Sequence, residues 1–178
     1  MRIVSGNLGG RKINPPYDLP VRPTTDKAKE SLFNILNNRI NFEETVALDL
    51  FAGTGNISYE LASRGCISVT SVEIDFKCVK FIKEASELLK ANIKVVQANV
   101  FSFLNTYKSK SDLIFADPPY SLENIEEIPD YIFRNELLNE EGILIVEHSA
   151  NTNFAHHHYF MESRRYSKVH FSFFQIKT

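Results

Sequence analysis

The chain has 178 residues, of which 43% are hydrophobic and 24% charged, so one globular domain is expected rather than a disordered or fibrous protein. No apolar run matches a membrane span and the first residues lack a secretory apolar segment, which favours a cytoplasmic protein. The two cysteines, Cys66 and Cys78, fit no zinc spacing and are interpreted as reduced thiols.

The net charge of −2 is unevenly distributed. Residues 1–39 hold seven Lys and Arg against three Asp and Glu, and residues 156–178 hold four against one. Residues 40–155 hold nine against eighteen. Basic ends around an acidic centre allow a local binding site for a polyanion, although chance unevenness explains the pattern equally well.

The N-terminal segment predicts a short hairpin followed by a helix. Residues 2–13 contain two β-prone pieces around a Gly-rich turn. Three prolines between 15 and 20 favour extended chain. A helix is predicted over 26–38, with its N-cap among Thr24, Thr25 and Asp26.

Beyond residue 45, strands and helices alternate. Strands are predicted over 46–50, 68–73, 94–97, 112–116 and 142–147, and helices over 56–64, 76–91, 100–107 and 123–138. Two more strands are predicted around 156–161 and 168–176. This pattern is typical of a mostly parallel α/β sheet, here with an antiparallel hairpin at one edge. We expect one domain over 1–178, with residues 1–40 extending a core over 41–178.

A Gly-rich loop from Asp49 to Asn56 follows the first core strand. Gly53 and Gly55 allow a close approach to a ligand at a helix N-terminus, whereas the third glycine of a dinucleotide motif is replaced by Ser58. Glu73 ends the second strand, where a carboxylate accepts both hydroxyls of a ribose. These residues predict an adenosine site more strongly than a pyrophosphate site, and more strongly than a plain turn.

Two further side chains have alternative roles at this edge. Asn99, after the third strand, either contacts the adenine amino group or caps the short helix that follows. Asp49 either orients the Gly-rich loop or approaches the amino-acid part of the cofactor.

Asp117-Pro118-Pro119-Tyr120 follows the fourth strand, which neighbours the first in a doubly wound sheet. The prolines remove two N–H donors and hold Asp117 extended, which leaves a rim of acceptors. The Asp117 carboxylate and the Pro118 carbonyl would hold an exocyclic amino group for methyl transfer, and Tyr120 would stack on its base. The alternative, a turn that merely ends a strand, is disfavoured by the upstream Gly-rich loop.

The chain resembles the bacterial RsmD-type enzymes, which methylate N2 of a specific guanine in 16S ribosomal RNA. The resemblance covers essentially the whole chain. Its motifs are Arg2-Ile3-Val4-Ser5-Gly6, Gly10-Arg11-Lys12, Arg22-Pro23-Thr24-Thr25-Asp26, Asp49 to Gly55, Asp117 to Tyr120, and Val146-Glu147-His148. Ser167 departs from the family, in which glycine is common after the tyrosine that Tyr166 matches.

The resemblance implies a class I S-adenosylmethionine-dependent methyltransferase fold with a seven-stranded sheet, and S-adenosylhomocysteine as product. The expected catalytic residues are Asp117, Pro118, Pro119 and Tyr120. Those expected to bind the cofactor are Thr24, Asp49, Phe51, Gly53, Gly55, Asn56, Glu73, Ile74, Asn99 and Val100. RNA contacts are expected from Arg2, Arg11, Lys12 and Arg22.

The implied partner is 16S ribosomal RNA in the small ribosomal subunit or an assembly intermediate. We expect a monomer that needs neither a metal nor a membrane, and the sequence leaves the oligomeric state open. The nearest alternative in chemistry is an adenine-N6 methyltransferase acting on DNA or RNA, since the same tetrapeptide serves both. A nicotinamide-dependent oxidoreductase and a non-catalytic RNA-binding module are more distant alternatives. His156, His157 and His158 are not interpreted as metal ligands, because neighbouring side chains of a strand point to opposite faces.

Overall fold

The computed structural model describes residues 1–19 and 26–176, so the sites predicted at Arg22 and Thr24 lie outside the described residues. The strands are β1 Val46–Leu50, β2 Ser68–Glu73, β3 Ile93–Gln97, β4 Ser111–Ala116, β5 Leu138–His148, β6 Phe160–Tyr166 and β7 Val169–Phe174. The α-helices are α1 Asp26–Leu36, α2 Asn56–Ser63, α3 Phe76–Leu89, α4 Val100–Thr106 and α5 Ile128–Arg134. Two 3-10 helices span Phe42–Glu44 and Ile125–Glu127.

Within these ranges the seven strands form one sheet in the order β3-β2-β1-β4-β5-β7-β6. Strands β1 to β5 pair in parallel, and β7 pairs antiparallel with both β5 and β6. The predicted parallel core with an antiparallel hairpin at its edge is therefore confirmed. The order in which successive strands are added to the sheet reverses between β1 and β4. Doubly wound folds bind ligands at this switch point.

Helices cover both faces of the sheet. Leu48 and Leu50 of β1 belong to a buried cluster that includes residues of α4 and α5. Ala47, on the opposite face, belongs to a second cluster with residues of α1 and α2. Because both faces are covered, the central strands are almost continuously apolar. No helix within the described ranges is both long and apolar enough to cross a bilayer.

The predicted N-terminal hairpin is present in a minimal form. One antiparallel bridge joins Arg2 and Lys12, and the amide of Ile3 donates to the carbonyl of Arg11 at 3.0 Å. The turn rests on the last residue of α2: the hydroxyl of Ser63 accepts from Leu8 N at 2.9 Å and donates to Ser5 O at 2.5 Å. These bonds fix the hairpin against the helix that follows the Gly-rich loop.

A buried ion network joins the hairpin, α1 and α2. Lys29 is fully buried, and its Nζ donates to Arg2 O at 2.6 Å and to Asn56 Oδ1 at 2.8 Å. It also lies 3.5 Å from Oε2 of Glu60, which is equally buried. Burial lowers the pKa of Lys29, and the Glu60 carboxylate opposes that change. Charges taken out of water need such partners.

The helix predicted over 123–138 is wrong in its extent. The α-helix ends at Arg134, and β5 begins at Leu138 rather than at 142. Glu136 adopts a φ of 53° and turns the chain from the helix into the strand. A left-handed conformation at a residue other than glycine is uncommon, and the sequence did not indicate it.

The strand predicted over 156–161 is also displaced. Residues 155–159 form turns, in which His157 N donates to Phe154 O at 2.9 Å and Phe160 N donates to His157 O at 3.0 Å. The strand runs instead from Phe160 to Tyr166. Aromatic composition had favoured the earlier segment, whereas the edge strand itself is rich in charge, as exposed edges commonly are.

Candidate active site

The carboxyl ends of β1 and β4 lie side by side. Leu50 pairs with Ala116, and the amide of Asp117 donates to the carbonyl of Leu50 at 3.3 Å. The Gly-rich loop leaves β1 at this point, and the Asp-Pro-Pro-Tyr segment leaves β4. Two motifs separated by about sixty residues of sequence therefore meet at one edge of the sheet.

Glu73 holds the loops at this edge together. Its Oε2 accepts from Gly53 N at 2.7 Å, and its Oε1 accepts from Ile74 N at 2.8 Å and Asp75 N at 2.9 Å. A carboxylate offers about four acceptor positions, so three are occupied by backbone and room remains on Oε2. Glu73 therefore fixes the shape of the loop, and it keeps less capacity for two ribose hydroxyls than its sequence position implied.

A cleft opens beside Glu73. It is lined by Phe51, Glu73, Ile74, Asn99 and Val100, all of which were predicted to contact the cofactor. Phe51 has a φ of 59°, which costs about 1–2 kcal/mol in a residue other than glycine. Its ring packs edge-on against Phe101 at a centroid distance of 6.5 Å, and this contact holds it in the lining of the cleft.

The structure favours the capping role of Asn99 over the amino-group contact. Asn99 is the N-cap of α4, and its Oδ1 accepts from Ser102 N at 3.2 Å. Because the amide oxygen is engaged, its NH₂ group is the part best suited to a ligand. An NH₂ group is a donor, so it fits a ring nitrogen of adenine better than the adenine amino group.

Asp49 is a buried part of the loop's support. It is 2% exposed, and its Oδ2 accepts from the hydroxyl of Ser58, which lies 2.5 Å from the hydroxyl of Ser71. Burial raises the pKa of Asp49 to about 7, against the hydrogen bond from Ser58, and the carboxylate of Asp117 adds to the rise. These contacts favour the loop-orienting role. Ser58 stands where a dinucleotide motif has glycine, and sequence analysis missed its role as a donor to Asp49.

Asp117 is half-buried and Pro118 buried, while Pro119 and Tyr120 are exposed. Pro119 O accepts from Leu122 N at 2.8 Å, and no described residue donates to Pro118 O. The pKa of Tyr120 is raised, first by its partial burial and then by the Glu147 and Asp117 carboxylates. Tyr120 therefore presents a neutral aromatic ring, 59% exposed, next to two acidic side chains.

Glu147 and His148 end β5 at the same edge, and both are buried. His148 Nδ1 lies 2.8 Å from Ser149 O, so it carries the proton, and Nε2 then accepts from the Ser172 hydroxyl at 2.7 Å. Burial lowers the pKa of His148 and keeps it neutral. His148 thus joins β5 to β7, which is a structural role.

The basic residues predicted for RNA are exposed on the hairpin. Arg2 and Lys12 are partners in its bridge, and Arg11 precedes Lys12. Arg2 forms a surface ion pair with Glu30 at 2.9 Å, which competes with a phosphate for its guanidinium. The hairpin thus gathers three of the four predicted RNA contacts, and Arg22 lies outside the described residues.

Comparison with known proteins identifies close relatives. The model of a family described as conserved hypothetical protein 95 matches residues 1–175. Ribosomal RNA small subunit methyltransferase D of Escherichia coli (strain K12) is 34% identical over 148 residues, 83% of this chain and 74% of that protein. A solved structure named "Putative methyltransferase yhhF from Escherichia coli" matches with a TM-score of 0.85 at 29% identity. The match covers 98% of this chain and 97% of the chain in that structure.

A more distant structure shares the fold alone. It is named "Crystal structure of SMU.776, a putative methyltransferase complexed with SAH" and is 18% identical, with a TM-score of 0.65 over 83% of this chain and 49% of its own. Together with the more similar structure from Escherichia coli, it shows that the chain has the class I methyltransferase fold that the family resemblance implied.

Proposed function

Because the chain belongs to the RsmD-type family, whose model is described as conserved hypothetical protein 95, we propose that it transfers a methyl group from S-adenosylmethionine to the N2 amino group of a guanine in 16S ribosomal RNA. The observation that carries this proposal is the meeting of the two motifs at the ends of β1 and β4, through the 3.3 Å bond from Asp117 N to Leu50 O. This contact supports a methyl-donor site and an acceptor site at one switch point of the sheet.

The residues around the cleft fit the cofactor. Glu73 orders the Gly-rich loop through Gly53 and keeps an acceptor position for a ribose hydroxyl. Ile74 and Val100 provide apolar walls for a purine, and Asn99 provides a donor at its edge. S-adenosylmethionine, when bound, supplies an electrophilic methyl group on a sulfonium.

The tetrapeptide positions the acceptor. The Asp117 carboxylate and the Pro118 carbonyl accept hydrogen bonds from the two N–H groups of an exocyclic amino group. The lone pair of this nitrogen is otherwise delocalised into the ring, and the two hydrogen bonds hold it toward the methyl donor. Acceptors held in place stabilise the positive charge that develops on the nitrogen. The exposed ring of Tyr120 stacks on the base, a contact worth about 1–3 kcal/mol.

Loss of methylation in a deletion strain tests the substrate. We expect mass spectrometry of its 16S ribosomal RNA to lack one N2-methylguanosine, and the purified protein with S-adenosylmethionine to restore it. A missing N6-methyladenosine, or transfer to duplex DNA but not to under-methylated ribosomal RNA, would instead establish the alternative chemistry.

Asp117→Ala tests the mechanism. We expect methyl transfer to fall by at least about a hundredfold, because both positioning and charge stabilisation are lost. Cofactor affinity, measured by calorimetry, should change little, since Asp117 does not line the cleft beside Glu73. Unchanged turnover in this variant would refute the assigned role.

A further inference from the structure

The crevice carries a charge that repels the proposed RNA substrate. Glu73, Asp117 and Glu147 all lie at the carboxyl edge of the sheet, in the segment 40–155 that holds eighteen acidic against nine basic residues. Phosphates dominate the affinity of proteins for nucleic acid. Under the proposed function, attraction must therefore come from surfaces that flank the crevice, and the N-terminal hairpin supplies only one flank.

The C-terminal hairpin reaches the same edge from the other side. His148 at the end of β5 pairs with His170 of β7, so β7 begins where β5 ends. Tyr166 pairs with Val169, which makes Ser167 and Lys168 the loop of the hairpin. Strand β6 lies three strands from β4, and neighbouring strands are about 4.8 Å apart, so the tip lies about 14 Å from the Asp117 side of the crevice.

Basic side chains cluster at this tip. Arg164, Arg165 and Lys168 are exposed, and no described carboxylate forms an ion pair with Lys168. Arg165 Nε donates to Ser167 O at 3.0 Å, which anchors the guanidinium at the loop. The two terminal nitrogens carry four of the five N–H donors of the guanidinium and can donate to a phosphate. Glu162 pairs with both Arg164 and Arg39, so one carboxylate is shared between two guanidinium groups.

We propose that this hairpin tip, from Arg164 to Lys168, is a second RNA-binding surface that contacts backbone phosphates on the opposite side of the target nucleotide from the N-terminal hairpin. The inference rests on the proposed RNA substrate and adds a surface to it. The N-terminal hairpin packs on α2, which contacts β1, β2 and β3, whereas the tip lies beyond β5. The two basic surfaces thus flank the acidic crevice.

Charge removal at the tip tests the proposal. The double variant Arg165→Ala with Lys168→Ala should bind unmodified, in vitro transcribed 16S ribosomal RNA about tenfold more weakly at low salt. Each lost phosphate contact lowers the dependence of log affinity on log salt by about 0.7–0.9, so the slope should fall by about 1.5. Filter binding between roughly 50 and 200 mM salt measures both quantities.

A matched control lies at the amino ends of the parallel strands, on the side of the sheet away from the crevice. Lys108 and Lys110 are exposed just before β4 begins, so Lys108→Ala with Lys110→Ala removes the same charge far from the crevice. This control should keep the wild-type affinity and slope. An unchanged slope in the tip variant, or an equal loss in the control, would overturn the proposal.

Methyl transfer separates this inference from the proposed function. In the tip variant the KM for RNA should rise while kcat at saturating RNA and cofactor affinity stay at wild-type values. A general loss of structure would instead lower kcat and cofactor affinity together, and that result also counts against the proposal. If the wild-type protein binds ribosomal RNA through the tip but methylates none, the proposed function fails and the binding surface stands.

Discussion

At the scale of single residues, Asp49 makes the stability of the protein depend on pH. Its folded-state pKa of about 7 exceeds the usual 3.8 because the carboxyl is buried. The folded protein therefore holds this proton more tightly than the unfolded chain. The contribution of this proton to stability is fully present below pH 3.8 and is lost as pH rises to about 7. We expect a loss on the order of 4 kcal/mol across this window in the cofactor-free protein.

Asp49→Asn removes the titrating group and keeps an oxygen that accepts from Ser58. Urea unfolding of both proteins between pH 4 and pH 8 measures the effect. The stability of the wild type should fall relative to the variant over the window, and the difference should level off above pH 7. Parallel curves for the two proteins would show that Asp49 is ionised throughout.

Ser167 adopts an unfavourable backbone conformation. Its φ of 60° at the start of the hairpin loop is unfavourable by about 1–2 kcal/mol for an L-residue. Ser167→Gly should therefore raise the free energy of unfolding by about 0.5–1 kcal/mol, after the greater entropy of unfolded glycine is subtracted. The same change at Ser163, within strand β6, should destabilise the protein, and thermal unfolding of both variants distinguishes the two outcomes.

At the scale of elements, the docking of the N-terminal hairpin depends on Gly6. A Cβ at this position would lie 1.9 Å from Ser63 O, and the φ of Gly6 is 82°. Gly6→Ala should therefore displace the hairpin from α2, weaken RNA binding severalfold and cost about 3 kcal/mol or more of stability. Calorimetry should show nearly unchanged cofactor affinity, since the cleft lies beside β2 and β3.

Gly10 provides a matched control for backbone strain. Its φ of 83° is almost the same, but nothing lies within 4 Å of an added Cβ. Gly10→Ala should cost only the strain of its backbone, about 1–2 kcal/mol, and leave the hairpin docked. Equal effects of the two substitutions on RNA binding would show that contact with Ser63 does not position the hairpin.

The elements also show what the sequence could predict. The bounds of β1 and β2 followed from apolar runs that end at loops with a recognisable pattern. The pairing of β1 with β4, which brings the Gly-rich loop beside Asp117, followed from the doubly wound pattern. The end of α5 could not be predicted in this way, because Glu136 turns the chain in a left-handed conformation without a glycine. The roles of Ser58 and Glu60 also escaped prediction, since their partners are set by packing between distant segments.

At the scale of the whole molecule, the ion network decides whether the extension and the core behave as one unit. Glu60 accepts from the amides of Val4 at 2.7 Å and Ser5 at 3.1 Å, and Lys29 bridges Arg2 and Asn56. The hairpin is thereby bonded to both α1 and the first turn of α2. We expect residues 1–40 and 41–178 to unfold in one transition, with the amides of Val4 and Ser5 exchanging hydrogen at the same free energy as the central strands.

Lys29→Met tests this coupling. Removing one member of a buried ion network leaves Glu60 with less compensation for its burial, so stability should fall by about 3–5 kcal/mol. Lys27→Met, on the exposed side of the same helix, should change it by less than about 0.5 kcal/mol. In Lys29→Met the amides of Val4 and Ser5 should exchange faster than those of β1 and β4, because the hairpin has lost the ammonium that holds Arg2 O. If the hairpin and strand amides still exchange together, the hydrogen bonds to Glu60 and Ser63 alone unite the two parts of the chain.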